Sequence, residues 1–256
     1  MALARLPFTL SLAWAAYTSA TPPNPPPRPA ELRVELDYSL KEVNLRAALA
    51  RASLVLPALI EIIIVLSDLS SISPQPQRSN HLQVPEPLTN PHTASSHIYL
   101  TPSFLAFWTI AMTGAHLRKR CFTTMGAMFT FELAVRRDHK LITRGPYAVV
   151  RHPAYTTAVV VMGAGALCWS GPGAWPFAYA FDFERVSGDG SGTGTAAAAA
   201  LLAWIALAAC WVPTVWNAVA LPGRARVEDK LLHEKFGKEW EVWAERVPCR
   251  FIPGIY

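Results

Sequence analysis

The stretch Ala196-Ala-Ala-Ala-Ala-Leu-Leu-Ala-Trp-Ile-Ala-Leu-Ala-Ala-Cys-Trp-Val-Pro-Thr-Val-Trp-Asn-Ala-Val-Ala-Leu221 carries no charged side chain. A helix of about 20 such residues crosses the hydrocarbon core of a bilayer, because its backbone polar groups are satisfied internally. The stretch is therefore read as a membrane helix, with Pro213 expected to kink it. Working outward, three more apolar runs appear: Ala47–Ser67, interrupted by Pro57 and Glu61; Ile98–Leu117, with Pro102 placed to open its helix; and residues 155–170. Residues 1–20 hold Arg5, an apolar core from Leu6 to Ala16, and small residues ending in Thr18-Ser19-Ala20. They read either as a short retained membrane helix or as a cleaved, signal-like segment. The expected fold is an all-α integral membrane protein with about five transmembrane helices.

Composition agrees. Only 16% of residues are charged and 52% are hydrophobic, whereas soluble domains carry roughly 25% charge. The net charge of +5 could mean nucleic acid, but the basic residues cluster beside apolar runs, where the positive-inside rule accounts for them. No nucleic-acid partner is expected. The loop from Arg118 to Arg151 and the tail from Arg224 onward are rich in Lys and Arg, while loops 68–97 and 170–195 hold one Arg each, Arg78 and Arg185. Both basic segments are assigned to the cytosol. Cys121, Cys168, Cys210 and Cys249 are scattered without a CxxC pair, so neither a disulfide framework nor a metal site is expected. The chain divides into the N-terminal segment 1–20, a Pro-rich linker 21–46, membrane helices with an intervening polar loop over 47–117, and a region 118–256 containing a two-helix membrane hairpin. The Gly/Ser-rich run Ser187–Gly194 is read as flexible filler.

Chemistry concentrates in two places, His139-Lys-Leu-Ile142 through Gly145-Pro-Tyr-Ala-Val-Val-Arg-His-Pro-Ala-Tyr155, and Arg224-Ala-Arg-Val-Glu228. Ionisable groups beside membrane helices are costly unless they pair or bind something, which makes them functional candidates. The GxYxxxRHPxY pattern at 145–155 resembles the signature of the isoprenylcysteine carboxyl methyltransferases, integral membrane enzymes that methylate the C-terminal prenylated cysteine of processed CaaX proteins. The resemblance runs from about Phe129 to Tyr256 and includes Arg224-x-x-x-Glu228, Phe236-Gly237, Arg246-Val-Pro and Ile252-Pro-Gly-Ile-Tyr256. It implies S-adenosylmethionine as cofactor, held in a cytosolic C-terminal pocket by His139, Lys140, Leu141, Ile142, Tyr147, His152, Pro153, Ala154, Tyr155 and Glu228. It further implies Arg224 at the substrate carboxylate, with Arg224 and Glu228 carrying catalysis, no metal, the lipid bilayer as surroundings, and the endoplasmic reticulum membrane as location.

Each residue also has a plainer reading. Arg224 and Glu228 fit an i,i+4 ion pair worth a few tenths of a kcal/mol, although the following stripe Leu231, Leu232, Phe236, Trp240 and Trp243 puts them on the buried side of an amphipathic helix. Arg151-His152-Pro153 fits a helix entry, whose free N–H groups also suit an anion. Tyr147 and Tyr155 suit a membrane interface as well as the wall of an adenine pocket. Glu61, at membrane depth, needs a partner or a proton. The chain departs from the family pattern at Thr157, where Gly is common, and at Trp240 and Trp243, where a Tyr pair is usual. The polar residue expected ahead of His139 corresponds to about Glu132. Two rival functions remain: a related membrane methyltransferase acting on a phospholipid amine, and a non-catalytic membrane scaffold.

Overall fold

A computed structural model describes residues 2–28, 40–71, 94–134, 139–181 and 193–255, and these are helical with short connections. In chain order the helices are α1 (Leu6–Ser19), α2 (Leu40–Ser71), α3 (Pro102–Met125), α4 (Pro153–Trp169), α5 (Trp175–Phe181), α6 (Thr193–Phe236) and α7 (Lys238–Arg246). The expected all-α class holds among the described residues. Two helices are long and apolar enough to cross a membrane, Glu42–Leu69 and Ala197–Phe236. The other three expected spans fall short of that test by length or polarity. α1 has 14 residues, α4 has 17, and α3 reaches 24 only by including the basic Arg118-Lys119-Arg120.

The helices α1, α2, α3, α4 and α6 form one bundle, with α3 against α4 as its most extensive interface. Two glycines set how closely neighbours approach. A Cβ at Gly114 of α3 would lie 3.0 Å from Val160, and one at Gly165 of α4 would lie 2.5 Å from Leu54 of α2. Leu12, Leu54, Ala111 and Trp169 fill the core, while Trp14, Ile63, Leu202 and Val219 point their large apolar side chains outward. An apolar exterior around an apolar core is what a bilayer-embedded bundle requires.

The expected boundaries shift at several points. α2 begins at Leu40, ahead of the expected start at 47, and its first turns carry an Arg46–Glu42 ion pair of 3.3 Å. The short helix α5 occupies part of the expected loop 170–195, anchored by the Trp175 indole donating to the Pro57 carbonyl at 2.9 Å. α6 runs unbroken through Pro213 and Pro222. The Thr214 hydroxyl donates to the Cys210 carbonyl and the Asn217 amide to the Pro213 carbonyl, at 2.7 and 2.8 Å. The stripe expected to continue from Leu231 to Trp243 on one helix is instead split between two. Gly237, at φ 52°, ends α6, and its N–H caps the His233 carbonyl at 2.8 Å, so Trp240 and Trp243 belong to α7.

Glu61 has the partner that its depth demands. The Arg5 Nε donates to both its carboxylate oxygens at 3.0 and 3.2 Å, and the Thr9 hydroxyl donates to Oε1 at 2.5 Å. The remaining guanidinium nitrogens reach the Tyr99 and Cys168 carbonyls, and the carbon of that group lies 3.8 Å from the Phe104 ring centroid. Arg5 and Glu61 are fully buried. The network ties the start of the chain into α2, α4 and the entry to α3.

Candidate functional site

The site lies at the end of the bundle opposite the Arg5–Glu61 pair, where the loops after α3 meet α4 and α6. Its first wall is the turn Gly145–Ala148, entered at Gly145 with φ 61°, which a residue without Cβ adopts freely. This turn buries Tyr147, whose carbonyl accepts from the Trp243 indole of α7 at 3.2 Å. Burial pushes the Tyr147 phenol above its ordinary range, so it stays neutral and serves as a wall and a hydrogen-bonding group.

The second wall starts at His152, the residue before α4. Its Nε2 lies 3.0 Å from Asp229 Oδ1 and its Nδ1 lies 3.6 Å from Glu228 Oε2. The ring stacks on Tyr155 with a 6° interplanar angle and centroids 5.5 Å apart. The Tyr155 hydroxyl donates to Glu228 Oε2 at 2.6 Å and accepts from Arg224 Nε at 2.9 Å. Arg224 and Glu228, which the plainer reading joins as an i,i+4 pair, are joined through a phenol from another helix. Arg224 also donates to the Phe131 carbonyl, and it is only 5% exposed. Such burial rules out a solvated surface pair.

These residues border two cavities. The polar one is lined by His139, Lys140, Leu141, Ile142, Tyr147, His152, Ala154, Tyr155, Arg224 and Glu228, which includes every site residue expected from sequence except Pro153. Pro153 is buried as the first residue of α4, where its missing N–H costs nothing and its fixed φ suits the helix start. The anion site expected at that helix start is partly taken, since the His152 N–H already bonds the Arg250 carbonyl at 2.8 Å. The other cavity is largely apolar, among Ala50 and Leu54 of α2, Val161 and Met162 of α4, and Leu221 of α6, with Arg46, Arg118 and Asn217 also in its wall. The two share Phe129, Thr130, Tyr155 and Arg224. One guanidinium and one phenol therefore face both chambers.

Sequence reasoning missed Asp229 and Arg250, named Leu231 and Leu232 only within a buried stripe, and gave Arg151 no role at the site. Asp229 is buried and accepts from His152 and from Arg250 Nε, each at 3.0 Å, with Arg151 3.5 Å away. A second acid directly after Glu228 in a basic segment was its only signal. Glu132 is buried and lines the polar cavity, in keeping with its expected place. The Thr157 hydroxyl turns back onto the Pro153 and Ala154 carbonyls at 2.8 and 3.1 Å, which lets the position accept Thr in place of Gly. Among the described residues no cluster of His, Cys, Asp and Glu suits a metal ion.

Two helices long and apolar enough to cross a membrane, with a polar chamber at one end of the bundle and a largely apolar one beside it, define the class of architecture. Comparison points the same way: residues 105–174 are similar to the Isoprenylcysteine carboxyl methyltransferase (ICMT) family, in keeping with the first part of the resemblance read from the sequence. That stretch holds the 139–142 and 145–155 segments but stops short of Arg224. A similar protein is Protein-S-isoprenylcysteine O-methyltransferase B of Arabidopsis thaliana, 29% identical over 142 residues, which cover 55% of this chain and 54% of the relative. The chain thus spans about half the length of that curated relative. No solved structure matches.

Proposed function

We propose that this protein is a membrane methyltransferase that transfers a methyl group from S-adenosylmethionine to the C-terminal carboxylate of a prenylated cysteine. The single observation that carries this reading is the wall shared by the polar and apolar cavities, Phe129, Thr130, Tyr155 and Arg224. The polar cavity suits S-adenosylmethionine. Its neutral aromatic wall at Tyr147 fits a base, and the acceptors at His152 and Glu228 fit ammonium and ribose donors. When bound, the cofactor supplies an activated methyl group on a sulfonium.

The protein's own part follows from that arrangement. The Arg224 guanidinium holds the acceptor carboxylate through fixed parallel donors. Tyr155, bonded to Arg224 and Glu228, keeps both side chains at the junction. Transfer of a methyl group is an in-line displacement needing no general base, so alignment supplies most of the rate gain, several kcal/mol. Residues 129–134 cover the junction and limit water around the carboxylate, which raises its reactivity. The prenyl chain lies in the apolar cavity and enters sideways from the bilayer, since each buried CH₂ is worth about 0.8 kcal/mol. Membrane residence, about five passes, the endoplasmic reticulum as location, and a cytosol-facing site belong to the same proposal, the last from the Lys and Arg of loop 118–151 and the tail.

The phospholipid-amine reading is weaker because the cation at the junction repels a cationic acceptor and attracts an anionic one. The test is chemical. Membranes containing the chain receive tritiated S-adenosylmethionine and N-acetyl-S-farnesylcysteine. The expected product is an ester that releases labelled methanol in base. Base-stable label in phospholipid would replace this function with the amine reading.

A further inference from the structure

The strap formed by the end of the chain has no role in the mechanism above, yet it is fastened to the site at five points. The Cys249 and Arg250 carbonyls accept the Arg151 and His152 N–H groups at 3.0 and 2.8 Å. The Thr156 hydroxyl donates to the Phe251 carbonyl at 2.9 Å. The Phe251 ring lies 6.0 Å from the His152 ring, centroid to centroid. Finally, Arg250 Nε donates to Asp229 Oδ2 at 3.0 Å while the other oxygen of that carboxylate takes His152 Nε2 at the same distance.

We infer that Asp229 is a positioning residue for the cofactor and that the segment Cys249–Phe251 is a strap holding it and His152 in register. The inference rests on the S-adenosylmethionine reading of the polar cavity. Its logic is a chain of contacts. Asp229 fixes the His152 ring, the ring stacks on Tyr155, and the Tyr155 hydroxyl sets Arg224 and Glu228. In the neutral ring, giving Nε2–H to Asp229 leaves the Nδ1 lone pair directed toward Glu228 Oε2, 3.6 Å away. Two acceptors then converge on one point, the arrangement that receives an ammonium group. If Asp229 is lost, the ring is free to turn or to take the other tautomer, and the convergence goes. Asp229 itself lines neither cavity, so its effect passes through His152, the neighbouring Arg151 and the strap.

The test is calorimetric titration of the detergent-solubilised full chain with S-adenosylmethionine, which needs no acceptor and separates affinity from the fraction of folded protein. Asp229→Ala is expected to raise Kd about tenfold or more at unchanged stoichiometry, the loss typical of a charge-assisted hydrogen bond. Asp229→Glu restores most of the affinity, and Arg250→Met, which leaves the bundle intact, shifts Kd in the same direction. A Kd unchanged in both Asp229→Ala and Arg250→Met, or a change confined to stoichiometry, overturns the positioning role while leaving the cofactor reading in place. Should Asp229→Ala not fold, Arg250→Met decides. Wild-type chain that binds no S-adenosylmethionine sinks both readings, whereas binding without transfer to prenylcysteine sinks only the acceptor assignment.

Discussion

At the scale of single residues, the decisive fact is that Arg224 is buried and shared between two chambers. On the function proposed above, replacing it by Ala removes the group assigned to the acceptor carboxylate. Methyl transfer to N-acetyl-S-farnesylcysteine is expected to fall about a hundredfold or more in kcat/KM, as when a fixed donor to an oxyanion is removed. S-adenosylmethionine binding should fall far less than transfer, and the thermal unfolding midpoint should drop modestly because Tyr155 and the Phe131 carbonyl lose a buried donor. A second residue-scale consequence concerns the other end of the bundle. Glu61→Leu strands the Arg5 charge without its counter-ion and is expected to destabilise the protein by about 3–5 kcal/mol, the usual result of removing one member of a buried pair. Arg5→Met combined with Glu61→Leu should recover most of that loss in detergent thermal melts. A double variant as unstable as the single one would show that the pair is not what ties α1 to α2.

At the scale of elements, much was readable because apolar runs are long and punctuated. The run 196–221, the opening of α3 at Pro102 and that of α4 at Pro153 are local signals, and the helices follow them. Where reading failed, two local signals conflicted. Pro222 and Gly223, just after the expected end of the run at Leu221, resemble a helix stop, yet α6 continues to Phe236, packed against α2, α4 and α5. At 44 residues it is about 66 Å long, over twice the roughly 30 Å hydrocarbon core. One rod therefore carries both the apolar wall and the charged rim, fixing Leu221 relative to Arg224. The opposite error occurred at Gly237, where a continuing amphipathic stripe concealed a helix end. Helix contacts also yield a prediction. Gly165→Val on α4 must displace Leu54 of α2, and overpacking of this kind costs about 1–3 kcal/mol. The unfolding midpoint of that variant should drop, and Leu54→Ala in the same chain should partly restore it.

At the scale of the whole molecule, the sequence could not disclose which distant segments meet. Arg5 and Glu61 are 56 positions apart, and Tyr155 and Glu228 are 73. No periodicity links such residues. The motif at 145–155 could be read because its residues are close in sequence, but Asp229 became visible only once α6 lay beside the start of α4. The resemblance supplied the class of chemistry, and the fold supplied the junction on which the proposed function rests, two cavities that share Tyr155 and Arg224. The most direct measurement is photolabelling of the membrane-bound chain with two ligands, followed by peptide mapping. One is S-adenosylmethionine, irradiated directly; the other is a farnesylcysteine bearing a diazirine at the far end of its isoprenoid. Two separate sets of cross-links are predicted, the first within 139–155 and the second at Leu54, Val161, Met162 or Leu221. Both ligands marking the same segment, or the isoprenoid marking 139–142, would contradict the two-chamber account.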